Sequence, residues 1–271
     1  MPVRQDEVRL HLVVPVFNEG ANFPAFYRSV KANIRTPHRI IVVYDFDEDD
    51  TLPLVRELQH ADPNLLLVKN PEPGVLGALK TGLRMPQEGA ILVSMADLSD
   101  DHSRADAMFE LYARGCAVVA ASRYMKGGSQ VGGPWLKRTL SRLAGLSLHF
   151  LAGLPTHDPT NNFRLYSANL LRNVQIESTG GFEVALELTV KAHCLGMAVG
   201  EVPASWKHRV AGKSRFQMRK WLPRYLRWYF ALLRFRLRNL IGCAQHERHL
   251  GGESPPERRP SRTKRTATAK G

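Results

Sequence analysis

Four short apolar runs in the first part of the chain each stop at a polar cluster and give way to a segment with helical spacing. That repetition restricts the chain to an α/β fold. The runs are residues 10–17 (LHLVVPVF), 39–43 (RIIVV), 65–68 (LLLV) and 91–95 (ILVSM), and segments 23–34, 51–59 and 75–84 carry apolar residues at the helical period. Short β-rich runs with little alternation read as strands buried on both faces. Strands that alternate with helices imply right-handed crossovers and a mainly parallel sheet, whose ligand crevice lies at the strand C-terminal ends. Later stretches continue the pattern: residues 117–122 read as a strand, 135–151 as a helix and 198–202 as a short strand. Residues 182–195 read as a helix with Glu183 and Glu187 on one face. With 44% hydrophobic residues the chain can build a substantial core, so disorder of the whole is excluded.

The parallel arrangement gives two aspartates a common address, because Asp45 and Asp97 each follow a buried strand at the same rim of the sheet. Two readings of residues 91–101 (ILVSMADLSDD) stand open. Asp97 can offer a hard oxygen ligand to a divalent ion that meets a phosphate, or it can belong to a turn or helix cap with Ser99, Asp100 and Asp101. Gly74, Gly77 and Gly82 fit neither a dinucleotide fingerprint nor a P-loop, but the small residues Gly77, Ala78 and Gly82 permit close approach of a neighbour or ligand. Of the ten histidines, His157 and His208 lie in loop-like segments, and 246–249 (HERH) is too short in spacing for a zinc-protease helix.

A net charge of +13 raises the question of a nucleic-acid partner, and its distribution answers it. Residues 207–271 hold 18 Lys/Arg against 3 Asp/Glu, a net +15, leaving −2 for residues 1–206. Pro223 suits the first turn of a helix. Beyond it Tyr225, Leu226, Trp228, Tyr229, Leu232, Leu233, Leu237, Leu240 and Ile241 lie opposite Lys220, Arg224, Arg227, Arg234 and Arg238. Such a helix either lies in a membrane interface or packs its apolar side onto the domain. Interleaving of the arginines with so broad an apolar face argues against nucleic acid. Residues 1–215 read as one domain, 216–244 as the amphipathic segment and 245–271 as a basic, disordered tail. Cys116, Cys194 and Cys243 are widely spaced and read as thiols of a reduced compartment. Residues 1–16 do not have the form of a signal peptide, and no stretch has the ~18 uncharged apolar residues of a spanning helix.

Taken in order, several motifs resemble the inverting glycosyltransferases of family 2, with the GT-A fold, and within them the dolichol- and polyprenyl-phosphate mannosyltransferase-like group. Residues 13–19 (VVPVFNE) look like the first nucleotide-binding strand and loop, which implies donor contacts from Pro15, Phe17, Asn18 and Glu19. Residues 40–51 look like the second, with Asp45 at the base or ribose, and 73–83 is similar to the helix that follows. Residues 121–128 (ASRYMKGG) resemble the acceptor-loop signature, implying Arg123 at the acceptor phosphate. Residues 137–141 (KRTLS) resemble a second element there, implying Lys137, Arg138 and Ser141. Residues 158–166 (DPTNNFRLY) match the family loop except that Asn161 and Asn162 stand where Ser-Gly is common. Residues 201–215 closely match the closing motif, implying Arg209, Lys213 and Ser214 on the donor diphosphate.

One departure falls on the aspartate rim: Met95 occupies the first position of the family's Asp-x-Asp metal motif. A thioether is a poor ligand for Mg²⁺ or Mn²⁺, so either Asp97 holds the ion with Ser99, water and diphosphate oxygens, or cations such as Arg209 and Lys213 carry more of the charge neutralisation. The resemblance implies a hexosyltransferase that moves a sugar from a GDP- or UDP-sugar to a polyprenyl or dolichyl phosphate with inversion, using Asp97, Arg123 and Arg209. It also implies a peripheral location at the cytoplasmic face of a membrane and leaves room for a separate membrane-anchoring subunit. A soluble acceptor, or a non-catalytic nucleotide-sugar or membrane-binding homologue, are the alternatives.

Overall fold

Valine, isoleucine and leucine dominate the first four runs expected as strands, and each run expected as a strand overlaps one. The computed structural model describes residues 9–208 and 218–250. The first half comprises β1 (Leu10–Pro15), α1 (Phe23–Asn33), β2 (His38–Tyr44), α2 (Leu52–Gln59), β3 (Leu65–Lys69), α3 (Val75–Arg84) and β4 (Ala90–Val93). A 3-10 turn (His102–Arg104), α4 (Ala105–Ala113), β5 (Val118–Ser122), β6 (Ser129–Val131) and α5 (Trp135–Ala152) follow. The remainder is β7 (Arg164–Ser167), α6 (Ala168–Asn173), α7 (Val184–Cys194), β8 (Val199–Pro203), β9 (Ser205–Lys207) and α8 (Met218–Leu250).

The main sheet has the order β3-β2-β1-β4-β7-β5-β8. Neighbours are parallel except at β7, which runs antiparallel to both β4 and β5. The expected mainly parallel sheet is therefore present, with one reversed strand. Each face carries an apolar cluster: Leu10, Leu12, Phe23, Phe26, Met108 and Leu165 on one side, Val13, Ile41, Leu79, Ile91, Tyr166 and Leu188 on the other. Gly82 serves this packing, since a Cβ there would come within 2.3 Å of Val13. The small residues of α3 thus admit the sheet.

Several elements depart from the sequence-based expectation. β7 starts at Arg164, inside the stretch read as a polar loop, because its Arg-Leu-Tyr-Ser composition hides a strand buried at every position. The short β6–β9 pair, α4 and α6 were also not anticipated. Pro223 lies inside α8 rather than in its first turn, where it has no N–H to donate to the preceding turn. α8 also continues to Leu250, past the Gln245 expected to open a disordered tail; residues 251–271 lie outside the described residues. At 33 residues α8 is roughly 50 Å long.

α8 resolves the choice posed by its two faces in an unexpected way, because its apolar surface is divided. Trp228 and Leu232 are buried with Leu148, Leu154, Leu186 and Val190, docking α8 on α5 and α7. Leu222, Leu226, Phe230, Leu237 and Ile241 remain exposed. The same is true of α5, where Trp135, Leu136, Leu140, Leu143, Phe150 and Leu151 are exposed. Among the described residues no helix is long and apolar enough to cross a membrane.

Candidate active site

The C-terminal rim of the sheet is assembled from the loops after β1, β2, β4 and β5. The first two are laced together by backbone donors. Asn18, held at φ 52°, donates its N–H to Asp49 (3.0 Å), Glu19 to the Thr51 hydroxyl (3.0 Å) and Gly20 to Asp50 (2.8 Å). The aspartate-rich run after β2 therefore builds the first loop. Phe17 meets Phe46 edge-on at 5.1 Å, and Glu19 accepts from Asn22 (2.7 Å). Asp45 accepts from the Asn70 amide (2.8 Å) and the Gly74 N–H (2.9 Å), which ties the second loop to the start of α3. Pro15, the last residue of β1, opens this rim, so Pro15, Phe17, Asn18, Glu19 and Asp45 share one edge of the sheet.

After β4 the chain turns sharply at Asp97, and the turn reading of this residue is seen directly. Asp97 is buried, and its Oδ1 accepts the Ser99 N–H (3.1 Å), an Asx turn with Leu98 in the left-handed region at φ 61°. A left-handed leucine costs of order 1–3 kcal/mol, strain of the kind that collects at functional loops. Met95, half-buried, packs its side chain against the apolar cluster. The residue that sequence reasoning passed over as a ligand is Asp100, whose Oδ2 accepts from the Met95 N–H (2.8 Å) and the Ser94 hydroxyl (3.0 Å). Burial and the neighbouring Asp97 charge push the Asp100 carboxyl up to about 7. Beneath them His102 bridges Ser29 (2.9 Å) and Ser94 (3.0 Å), and burial lowers it to about 4, so it is a neutral core histidine. β9 clasps this loop: Lys207 donates to the Ser99 carbonyl (3.2 Å), and Asp101 accepts from Ser205 (3.2 Å).

The Asp100 shift has a consequence for stability. A folded-state value of about 7 against an ordinary 3.8 means that the native state favours the protonated carboxyl. Its contribution is fully present below the ordinary value and is lost as pH rises through about 7. In metal-free buffer Asp100→Asn is expected to raise the melting temperature at roughly pH 8 and to change it little near roughly pH 4. A variant that melts lower than the parent at the higher pH would contradict this account.

Beyond β5 the site changes from carboxylates to hydroxyls around one guanidinium. Arg123 grips the fully buried Asp158 through Nε (2.6 Å), Nη2 (2.9 Å) and its backbone N–H (3.1 Å), and Nη2 also donates to Thr160 (3.0 Å) and Ser141 (3.5 Å). The Tyr124 hydroxyl donates to Ser141 (3.0 Å), and Ser141 lies 2.7 Å from Thr160. The family resemblance puts Arg123 and Ser141 at one site, and the structure brings them within 3.5 Å; Tyr124 and Thr160 complete the group. Burial alone would raise Asp158, but Arg123 and its hydrogen bonds hold it below the usual carboxylate range. Arg123 is raised in return by Asp158, against the effect of burial. Arg164, also fully buried, braces the loop by donating to the backbone carbonyls of Asp158 (2.6 Å) and Asn161 (3.2 Å) and to Thr189.

Arg138 is exposed on α5 one turn before Ser141. The Lys137 side chain, and Arg209, Lys213 and Ser214, lie outside the described residues. Glu183 and Glu187 are anchors for a loop: Glu183 accepts the N–H groups of Thr179, Gly180 and Gly181, and Glu187 those of Glu177 and Ser178. His157 is likewise structural, since its ring bonds Glu201 (2.5 Å) and stacks on His149.

A mostly parallel sheet gathers carboxylate loops on one side of its C-terminal rim and an arginine–hydroxyl cluster on the other, an α/β architecture with its candidate site at the strand ends. Its solved relatives include glucosyl-3-phosphoglycerate synthase of Mycobacterium tuberculosis. The complex with Mn²⁺, UDP and glucosyl-3-phosphoglycerate aligns with a TM-score of 0.58 at 18% identity, over 86% of this chain and 81% of that one. The complex with phosphoglyceric acid aligns with a TM-score of 0.59 at 20% identity, over 86% and 81%. These neighbours place the fold among the GT-A-like glycosyltransferases. Residues 11–175 match Glycosyl transferase family 2, and the chain belongs to that family.

Curated relatives agree. Polyprenol monophosphomannose synthase of Mycolicibacterium smegmatis is 30% identical over 216 residues, 76% of this chain and 80% of that protein. Undecaprenyl-phosphate mannosyltransferase of Micrococcus luteus is 28% identical over 77% of this chain and 87% of its own length. Dolichol-phosphate mannosyltransferase of Pyrococcus furiosus is 23% identical over 84% of this chain, which spans 64% of that protein. The protein is a glycosyltransferase.

Proposed function

We propose that this glycosyltransferase moves a hexose from a nucleoside diphosphate sugar to a polyprenyl phosphate at a membrane surface, with inversion at the anomeric carbon. One observation carries the reading. α5 brings Ser141 to the Arg123 cluster and, along the same helix, exposes Trp135, Leu140 and Leu143. A phosphate held there would have its lipid chain beside an exposed apolar helix, and α8 adds Leu226 and Phe230 with Arg224 and Arg227 nearby in sequence. Exposed aromatic and aliphatic groups beside arginines suit an interface with anionic headgroups. The names of the curated relatives point to the same acceptor class.

The acceptor phosphate is anionic at neutral pH, so one of its oxygens can form the new bond to the anomeric carbon as the bond to the donor diphosphate breaks, without a general base. The protein's task is to orient two anions and stabilise the leaving diphosphate. Arg123 is largely neutralised by Asp158, so the acceptor would be held by the Nη1 edge of Arg123, the hydroxyls of Tyr124, Ser141 and Thr160, and the cations Lys137 and Arg138. The loops carrying Pro15, Phe17, Asn18, Glu19 and Asp45 would bind the nucleoside. Arg209, Lys213 and Ser214 follow β9 in sequence, and Lys207 of β9 is bonded to the Ser99 carbonyl, which favours their assignment to the diphosphate.

A divalent ion fits the donor chemistry of the β4 loop. No group of three or more His, Cys, Asp or Glu among the described residues could hold a metal alone. Mg²⁺ and Mn²⁺, however, are commonly held by one or two carboxylates together with substrate phosphates and water. Asp97 and Ser99 would supply protein oxygens, with Asp100 behind them as a second carboxylate. When bound, the ion would offset the charge of the leaving diphosphate.

The test is an incorporation assay with labelled UDP- and GDP-sugars and Mn²⁺, offering polyprenyl phosphate in anionic vesicles and, separately, the phosphoglyceric acid seen with the M. tuberculosis neighbours. Label is expected in the lipid. Label confined to the soluble acid would sink the lipid reading, and nucleotide binding without turnover on any acceptor would sink the enzymatic one. Melting curves with UDP or GDP identify the base, because the ligand that binds the native state raises its melting temperature.

A further inference from the structure

The opposite rim of the sheet, where β1, β2 and β4 begin, holds a cavity of about 630 Å³ that the transfer reaction does not use. Its walls include Arg9, His11, Arg39, Glu88, Phe109 and Tyr112. His11 and Arg39 are register partners on β1 and β2, so their side chains lie on one face of the sheet as neighbours. Arg9 is fixed beside them because its carbonyl accepts the Ala90 N–H (3.0 Å).

Arg39 and His11 line the cavity through their other guanidinium and ring atoms, because Arg39 Nε and His11 Nδ1, which have no partner among the described residues, are closed off from solvent. Among the described residues Glu88 is the one carboxylate in the wall, set against two arginines. Burial and the adjacent Arg39 charge depress His11 to about 4, so the imidazole is neutral at physiological pH and can orient its proton to suit a bound group. Phe109 and Tyr112 provide an apolar side to the same space.

We propose that this cavity is a second, anion-binding site, which takes a phosphate group borne on a small molecule: its oxygens accept from Arg39 and Arg9, and its organic part lies toward Phe109 and Tyr112. Guanidinium forks match phosphate oxygens in charge and geometry. The site stands at the far end of the strands from Asp97 and Arg123, so its occupant is distinct from donor and acceptor.

The site is tested on the full-length protein by titrating inorganic phosphate while following the His11 ring signals by NMR, assigned with His11→Gln. A saturable shift is expected in the parent and in Asp97→Ala. The apparent affinity should fall about tenfold or more in Arg39→Gln, as loss of a charge-assisted hydrogen bond implies. Should Arg39→Gln fail to fold, Arg9→Gln, which alters an exposed side chain, is expected to weaken the same titration. A shift that does not saturate, or that is unchanged in Arg9→Gln, overturns the proposal. So does binding that appears only when Asp6 and Glu7, the acids preceding Arg9 in sequence, are replaced by Asn and Gln, because the chain would then be supplying its own anion.

Discussion

Asp158→Ala is expected to lower the stability of the protein by about 3–5 kcal/mol, the usual cost of removing one partner from a buried ion pair. For a chain of this size that corresponds to roughly 10 °C in melting temperature. The loss comes from what is left behind. Arg123 would keep its charge with its principal acceptor gone, since both Nε and Nη2 donate to this one carboxylate. The effect has a pH signature: Asp158 is held below its ordinary value, so its contribution is present above that value and is lost as pH falls through the depressed folded-state one. The difference between parent and variant should therefore shrink in acid. Denaturant melts of Asp158→Ala, Arg123→Met and the double variant measure the coupling, and the double variant is expected to recover part of the loss. A single-variant cost below about 1 kcal/mol would place the pair among weak surface bridges and refute its role as the anchor of this loop.

That anchor also shows where sequence reasoning reached and where it stopped. The strands β1 to β5 were legible because each is a compact, largely apolar run, of β-branched residues and leucine in β1 to β4 and of valine and alanine in β5, ending in turn chemistry. β7 was not, because it carries a fully buried arginine, Arg164, whose guanidinium is satisfied by backbone carbonyls that only the folded loop supplies. The juxtaposition of Arg123 and Ser141 came from family resemblance, and no periodicity could have placed Tyr124 and Thr160 beside them. For Glu183 and Glu187 helical spacing gave the shared face, but not their use as acceptors for a loop that precedes α7. Asp100 was visible as one of several acids in a turn. Its distinction is the Met95 N–H and Ser94 hydroxyl that hold it, and these depend on the path of the chain after β4.

The division of α8 follows the same logic on a larger scale. Composition alone left domain packing and an interfacial helix as competing fates. The structure assigns Trp228 and Leu232 to packing while Leu226, Phe230 and Leu237 stay exposed. The exposed apolar side chains of α5, whose spacing in the sequence marks no more than a helix, then extend that surface across a second helix.

Asp97 lets the proposed metal chemistry be tested apart from architecture, because its charge and its turn contact can be removed independently. Asp97→Asn keeps an oxygen able to accept the Ser99 N–H, preserving the turn that carries Leu98, but removes the charge that a divalent ion requires. Turnover is expected to fall by about 100- to 1000-fold, the scale seen when one preorganised stabiliser of a developing anion is deleted. The fold should not suffer. Asp97 raises the Asp100 carboxyl by repulsion, so its neutralisation relieves a buried like-charge pair and should leave the metal-free melting temperature unchanged or higher. Stabilisation by nucleotide should also lose its dependence on Mn²⁺ in the variant. Parallel loss of activity and stability would mark Asp97 as a turn residue alone, and full activity in Asp97→Asn would remove the metal from the proposed reaction.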